Sequence, residues 1–289
     1  MKRKLYVVMA IVLLFSMVLA ACKPTPTPEP TTAPVEQPTT PPVAKFKACQ
    51  VTDVGGIDDK SFNATAWKGV EDAIKELGIE GKYLESNQQT DYEKNINAFL
   101  EEKCDLIVSV GFLLGDATSL KATENPDQKF AIVDFGYDPV FPNVRGSGFS
   151  IDQATFLAGY LAAGMTQTGK VGVYGGLQIP PVTAFMDGYY LGVQKYNAVH
   201  GTKVEVLGWD PIAQAGLFTG DFSNLDNGKK TTESLLDEGA DIIMPVAGPV
   251  GQGTLAALKE RGTGLMIGVD NDWSAFYTDY TDFILASAL

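Results

Sequence analysis

The sequence predicts an α/β chain folded as two doubly wound parallel-sheet lobes joined by a hinge. Three observations carry that expectation. Short apolar runs alternate with helix-period patterns along most of the chain, several runs are apolar throughout, and most end on aspartate or glycine. A continuously apolar strand is one covered by helices on both faces, and strand–helix alternation implies parallel pairing with right-handed crossovers. At 289 residues, two lobes fit better than one very wide sheet.

In chain order, the first 22 residues read as a lipoprotein signal peptide. Lys2, Arg3 and Lys4 precede an apolar run from Leu5 to Ala20, and small residues lead into Cys22. That cysteine resembles a bacterial lipobox, which implies cleavage before it and lipid on its sulfur. Residues 23–44 hold eight of the 16 prolines, among Thr, Glu and Gln, and no glycine occurs before Gly55. Such a segment cannot build a core and is expected to be an extended, disordered tether. The first α/β lobe is expected over 45–150, the second over 151–280, and a segment returning toward the first lobe, cut short, over 281–289.

Strands are expected at 46–52, 83–86, 106–110, 130–133, 171–174, 204–207, 242–246 and 265–269. Phe62, Ala66, Val70, Ala73, Ile74 and Leu77 form one apolar helical face, with Asp58 and Asp59 as N-caps and Gly78 as the stop. Further helices are marked by Ile96, Phe99 and Leu100; by Phe156, Leu157, Tyr160 and Leu161; by Met186, Tyr189 and Val193; and by the pairs Leu235/Leu236 and Leu255/Leu258. No internal repeat is visible beyond the alternation.

Composition removes several function classes. Lys and Arg number 22 against 35 Asp and Glu, a net charge of −13, which becomes −16 once Lys2, Arg3 and Lys4 are removed. Nucleic acid needs clustered cations, and none is present. The single histidine, His200, reads as an idle residue in an exposed loop between a helix and a strand. Three cysteines cannot make a disulfide scaffold. Cys49 and Cys104 open neighbouring strands but fall out of register by strand-end counting, so two buried thiols are expected.

Asp53, Gly111, Asp134, Gly175, Gly248 and Asp270 each follow a strand run, and ligands of open parallel sheets bind at those carboxyl ends. Acidic acceptors without a cation suit a neutral ligand rich in hydroxyl and N–H donors; turn chemistry alone also places Asp and Gly there. The stretch from Gly111 to Asp116 lacks a Walker lysine, and that from Gly248 to Gly253 lacks the dinucleotide spacing. The latter either offers backbone N–H groups to a ligand or simply enters a helix. Asp270-Asn271-Asp272 lacks the glycine and glutamate of a calcium loop. No metal or cofactor is expected. Asp53 and Asp134 have no nucleophile, metal or histidine beside them, so no catalytic residue is assigned. Phe62 and Phe185 stand at corresponding helix starts of the two lobes, where they either serve the core or sandwich a flat ring.

The run from Cys49 to Asn63, with its Gly-Gly-x-x-Asp-Lys-Ser-Phe-Asn loop, resembles the opening strand and loop of the basic membrane protein (BMP) family, lipoproteins of the purine nucleoside receptor type. Blocks around Lys129 to Asp134, Phe156 to Gly159, Gly175 to Tyr189, Gly239 to Ile243 and Gly268 to Asp272 agree. The resemblance implies a type I periplasmic-binding fold serving an ABC importer. Phe62 and Phe185 then look like the pair stacking on the purine. Asp53, Asn63 and Asp134 look like the groups facing the base, Asp270 the ribose-hydroxyl acceptor, and Gly248 a backbone contact beside it. The family continues past Leu289 to a ribose-contacting lysine, so the chain is expected to be a fragment. The expectation is therefore a non-enzymatic, extracytoplasmic receptor held to the membrane by lipid, with a purine nucleoside and an ABC permease as partners. Another small hydroxylated ligand, a sensor-kinase partner, or a nucleoside hydrolase are the competing readings.

Overall fold

The computed structural model describes Lys45–Leu289, which forms one compact unit. The expected signal peptide, Cys22 and the tether over 23–44 lie outside the described residues. Five strands make the first sheet: β1 (Lys47–Val51), β2 (Glu80–Leu84), β3 (Leu106–Val110), β4 (Lys129–Val133) and β5 (Val144–Ser147). All pair in parallel, in the order β2-β1-β3-β4-β5. The second sheet contains β6 (Lys170–Gly175), β7 (Glu205–Leu207), β10 (Ile242–Val246), β11 (Leu265–Val269) and β12 (Ile284–Ala288). Its order, β12-β11-β10-β6-β7, is the same when strands are counted within that half. Two short antiparallel strands, β8 (Trp209–Asp210) and β9 (Ala215–Gly216), form a separate ribbon that falls between β7 and β10 in the chain. The end of the chain corrects the reading of 281–289 as a return segment: Ile284–Ala288 pairs with β11 as the edge strand of the second sheet.

Helices α1 (Phe62–Leu77), α2 (Asp91–Glu101) and α3 (Gly115–Glu124) belong to the first half. The second half holds α4 (Ile151–Met165), α5 (Pro180–His200), α6 (Leu225–Asp237), α7 (Gly251–Arg261) and α8 (Trp273–Phe276). Central strands β6, β10 and β11 are almost wholly buried, as their unbroken apolar sequences require. β5 escapes sequence reading because Arg145, Gly146 and Ser147 leave no apolar run.

Three local readings change. Leu157 and Leu161 are exposed, because α4 packs on α5 through small residues instead. A Cβ on Gly192 would sit 2.0 Å from the Phe156 carbonyl oxygen, and one on Gly159 2.0 Å from that of Tyr189. Only glycine permits this backbone approach, so Gly192→Ala is expected to destabilise the chain by at least about 2 kcal/mol, read as a drop in melting temperature. Leu77 is likewise exposed at the end of α1. His200 is the last residue of α5 rather than a loop residue, with Nε2 3.0 Å from the Tyr160 hydroxyl, because the helix runs on until Gly201 stops it at φ 69°.

Cys49 and Cys104 are joined in a disulfide with Cα atoms 6.1 Å apart, against the expectation of two thiols. The chain turns at Lys103 (φ 56°) before entering β3, and that turn, not strand register, sets the position of Cys104. Closing a loop of 55 residues contributes stability of about 4 kcal/mol on the chain-entropy model.

Candidate functional site

In a sheet of order 2-1-3-4-5 the connections leaving the first and third strands diverge to opposite faces, opening a crevice at their carboxyl ends. Both sheets have that order, and one cavity lies between the two crevices. Asp53, Phe62, Asn63, Asp134, Phe185, Gly248 and Asp270 all line it. The structure thus brings together every site position expected from the sequence except Cys22, which is outside the described residues.

Asp134 and Asp270 hold equivalent places. Each follows the fourth strand of its half, each has positive φ (61° and 66°), and each donates its backbone N–H to the last carbonyl of the edge strand, Ser147 at 2.8 Å and Ala288 at 3.0 Å. Aspartate tolerates this left-handed geometry better than most side chains. Burial raises the Asp134 pKa to about 6. It raises that of Asp270 to about 7, eased by a hydrogen bond from Ser61 and reinforced by the charges of Asp134, Asp59 and Asp53.

Asp53 is buried at the end of β1. Its Oδ1 accepts the Gly55 N–H at 2.9 Å and the Asn63 side-chain amide at 2.7 Å. Burial still pushes its pKa up despite these bonds. Its Oδ2 has no hydrogen-bond partner among the described residues and remains for a ligand donor. Asn63 is 1% exposed. Its amide nitrogen donates to Asp53 and, at 3.2 Å, to Asp59, while its oxygen accepts the Asp53 N–H at 3.2 Å. It lines the cavity with its donors already committed, so its main work here is to hold Asp53.

Asp59, expected only as a helix cap, also lines the cavity. It does cap α1, accepting the N–H groups of Asn63 at 2.8 Å and Ala64 at 3.0 Å, whereas Asp58 makes no such bond. Burial raises its pKa, with the backbone bonds from Ala64, Ser61 and Asn63 opposing. Among the described residues no Lys, Arg or His lines the cavity; the remaining wall is mostly apolar. Asp272, from the stretch compared with a calcium loop, caps α8 through Ser274 N–H at 3.0 Å. Among the described residues no three His, Cys, Asp or Glu side chains gather in metal-binding geometry.

Phe112 and Phe222 were missed by sequence reading. Phe112 directly follows strand-end Gly111, a position that could have flagged it. Phe222 comes from the irregular segment before α6 and packs against Gly176, where a Cβ would be 2.3 Å from its ring; nothing in its local sequence marks it.

Comparison with known proteins gives a consistent picture. A family model described as "ABC transporter substrate-binding protein PnrA-like" (Bmp) matches residues 46–284. The ABC transporter nucleoside-binding protein BmpA of Lactococcus lactis subsp. cremoris (strain MG1363) is 32% identical, over 94% of this chain and 75% of that protein. Basic membrane protein A of Borreliella burgdorferi (strain ATCC 35210 / DSM 4680 / CIP 102532 / B31) is 34% identical, over 75% of this chain and 61% of its own length. The crystal structure of an ABC transporter system solute-binding protein from Aeropyrum pernix K1 superposes with a TM-score of 0.73 at 31% identity, covering 81% of this chain and 65% of that one. The chain thus spans between 61% and 75% of the length of these three.

Proposed function

The chain belongs to the PnrA-like family of ABC transporter substrate-binding proteins, and on that footing we propose that it captures a purine nucleoside between its two lobes and delivers it to an ABC importer, performing no reaction of its own. The observation that carries this reading is the cavity itself: phenylalanines from both halves, Phe62 and Phe112 from one and Phe185 and Phe222 from the other, and, among the described residues, only carboxylates as charged lining groups. A purine is a flat ring with N–H groups and its ribose bears hydroxyl donors, so stacking and acidic acceptors answer both parts. A phosphate in the same place would meet Asp270 with no cation to offset it, so nucleotides are selected against. The nucleoside-binding name of the lactococcal relative agrees.

On this reading residues 45–150 and the chain from 151 through the edge strand Ile284–Ala288 act as two lobes about a hinge, and capture is their closure. Cys22 carries the lipid that holds the receptor on the extracytoplasmic face of the membrane, with residues 23–44 as its tether. The test is a thermal-shift panel. Because a ligand that binds only the native state stabilises it, adenosine, guanosine or inosine is expected to raise the melting temperature by several degrees, and nucleoside monophosphates or free ribose to leave it unchanged. Stabilisation by ribose alone, or sustained release of base from inosine, would overturn the proposal.

A further inference from the structure

Ser61 stands immediately before α1, where a serine ordinarily spends its hydroxyl on capping the helix. Here the hydroxyl makes no cap hydrogen bond, because the Asp59 carboxylate has taken the Asn63 and Ala64 N–H groups. The hydroxyl so released donates instead to Asp270 Oδ2 at 2.9 Å, across the cavity in the other half of the molecule. Its neighbour Lys60, at φ 52°, places Nζ 5.2 Å from the centroid of the Tyr277 ring. Tyr277 in turn stacks on the buried Trp273, with centroids 4.8 Å apart and ring planes at 25°. Lys60 takes part in no ion pair among the described residues. Two consecutive residues of one lobe therefore hold two separate elements of the other: the end of β11 and the segment after α8.

We infer that Lys60 and Ser61 form an interlobe latch that sets the lifetime of the closed state. Ser61 also acts as a positioning residue: it occupies Oδ2 of Asp270 and leaves Oδ1, which has no partner among the described residues, for a ligand hydroxyl. The cation–π contact is the second element, and it works at a distance from the cavity wall, since neither Lys60 nor Tyr277 lines it. Both contacts are made without a ligand, so the latch holds the closed state whether or not the site is filled, and its loss is read most directly in faster dissociation. The inference rests on the two-lobed receptor reading but not on the ligand being a nucleoside.

The experiment compares the full-length wild-type chain with Ser61→Ala, Lys60→Gln and Lys60→Arg. Small-angle scattering gives the radius of gyration without ligand, and stopped-flow fluorescence gives inosine association and dissociation. Ser61→Ala and Lys60→Gln are each expected to enlarge the ligand-free radius and to speed dissociation about tenfold, with association no slower than wild type; Lys60→Arg, which keeps the cation, is expected to behave as wild type. Unchanged radii and dissociation rates in both Ser61→Ala and Lys60→Gln overturn the latch. If inosine has no effect on the wild type, the nucleoside reading fails while the scattering comparison still decides the latch: larger radii in the variants support it, equal radii overturn it. Should Ser61→Ala fold poorly, exposed Lys60 carries the test alone.

Discussion

Asp270→Asn is expected to raise the melting temperature of the ligand-free chain while weakening nucleoside capture at least tenfold, two effects of opposite sign from one oxygen-to-nitrogen change. Asp270 ionises near an unusually high pH, about 7, because burial and the charges of Asp134, Asp59 and Asp53 disfavour its carboxylate. The compact state therefore holds a proton more tightly than the unfolded chain, where an aspartate ionises near 4. Its stability is thus greatest at low pH and is lost progressively as pH rises from about 4 through about 7. Asp134 contributes in the same sense up to about 6. Wild-type melting temperature is expected to climb as pH falls from 8 to 5, and Asp270→Asn to be higher at pH 8 and flatter throughout. Asparagine keeps the shape and accepts φ 66° readily, so backbone strain does not confuse the result. Binding suffers because a hydrogen bond from a ligand hydroxyl to a charged acceptor is worth about 1.5–3 kcal/mol. A destabilised Asp270→Asn, or one with unchanged affinity by titration calorimetry, would contradict this account.

Phe62→Ala is expected to abolish most of the nucleoside-induced stabilisation and to weaken binding ten- to a hundredfold, since base–aromatic stacking contributes about 1–3 kcal/mol. The position is well suited to the test. Phe62 is the first residue of α1 and only half-buried, with its ring 3.3 Å from where a Gly111 Cβ would stand. Phe185 is 7% exposed and belongs to the core of the second half, so its truncation would cost about 3–5 kcal/mol of folding stability as well. Phe62→Leu separates stacking from bulk: it fills much of the volume without a π-face, and it is expected to recover folding stability but little affinity. Calorimetry with inosine and with a ring-free polyol gives the comparison; equal losses for both would remove the stacking role.

How far the molecule could be read from its residues depends on the kind of signal each part leaves. Ile242–Val246 and Leu265–Val269 were located to the residue because a fully buried parallel strand writes itself as an unbroken apolar run. The strand-end aspartates and glycines then pointed at the cavity, because turn chemistry and ligand contact ask for the same residues there. What stayed hidden is tertiary. The common strand order of the two sheets leaves almost no shared sequence, since parallel strands accept any packing of Val, Ile and Leu. Leu157 and Leu161 mimic a core face, while the true contact of α4 is carried by alanine and glycine, whose importance lies in what they omit. The Cys49–Cys104 bond was missed because a left-handed turn at Lys103 moves a side chain in a way that register counting does not see. Asn63 looked like a ligand contact, and only the hydrogen-bond census reveals that its amide is occupied with Asp53 and Asp59.

The matching placement of Asp134 and Asp270 bears on how much of a ligand is needed. Each half contributes aromatic rings and one aspartate on the same backbone device, so neither half is a complete binding surface. A molecule that touches only one half gains one modest set of contacts and brings nothing to bear on the other. A molecule that touches both converts the second set of contacts into an intramolecular event, with the covalent bond between its two parts acting as the tie that raises their local concentration. If the ligand is the proposed nucleoside, base and sugar supplied separately should then fall short of the intact molecule by far more than the sum of their individual affinities, and the glycosidic bond, which no residue needs to contact, becomes its most consequential feature.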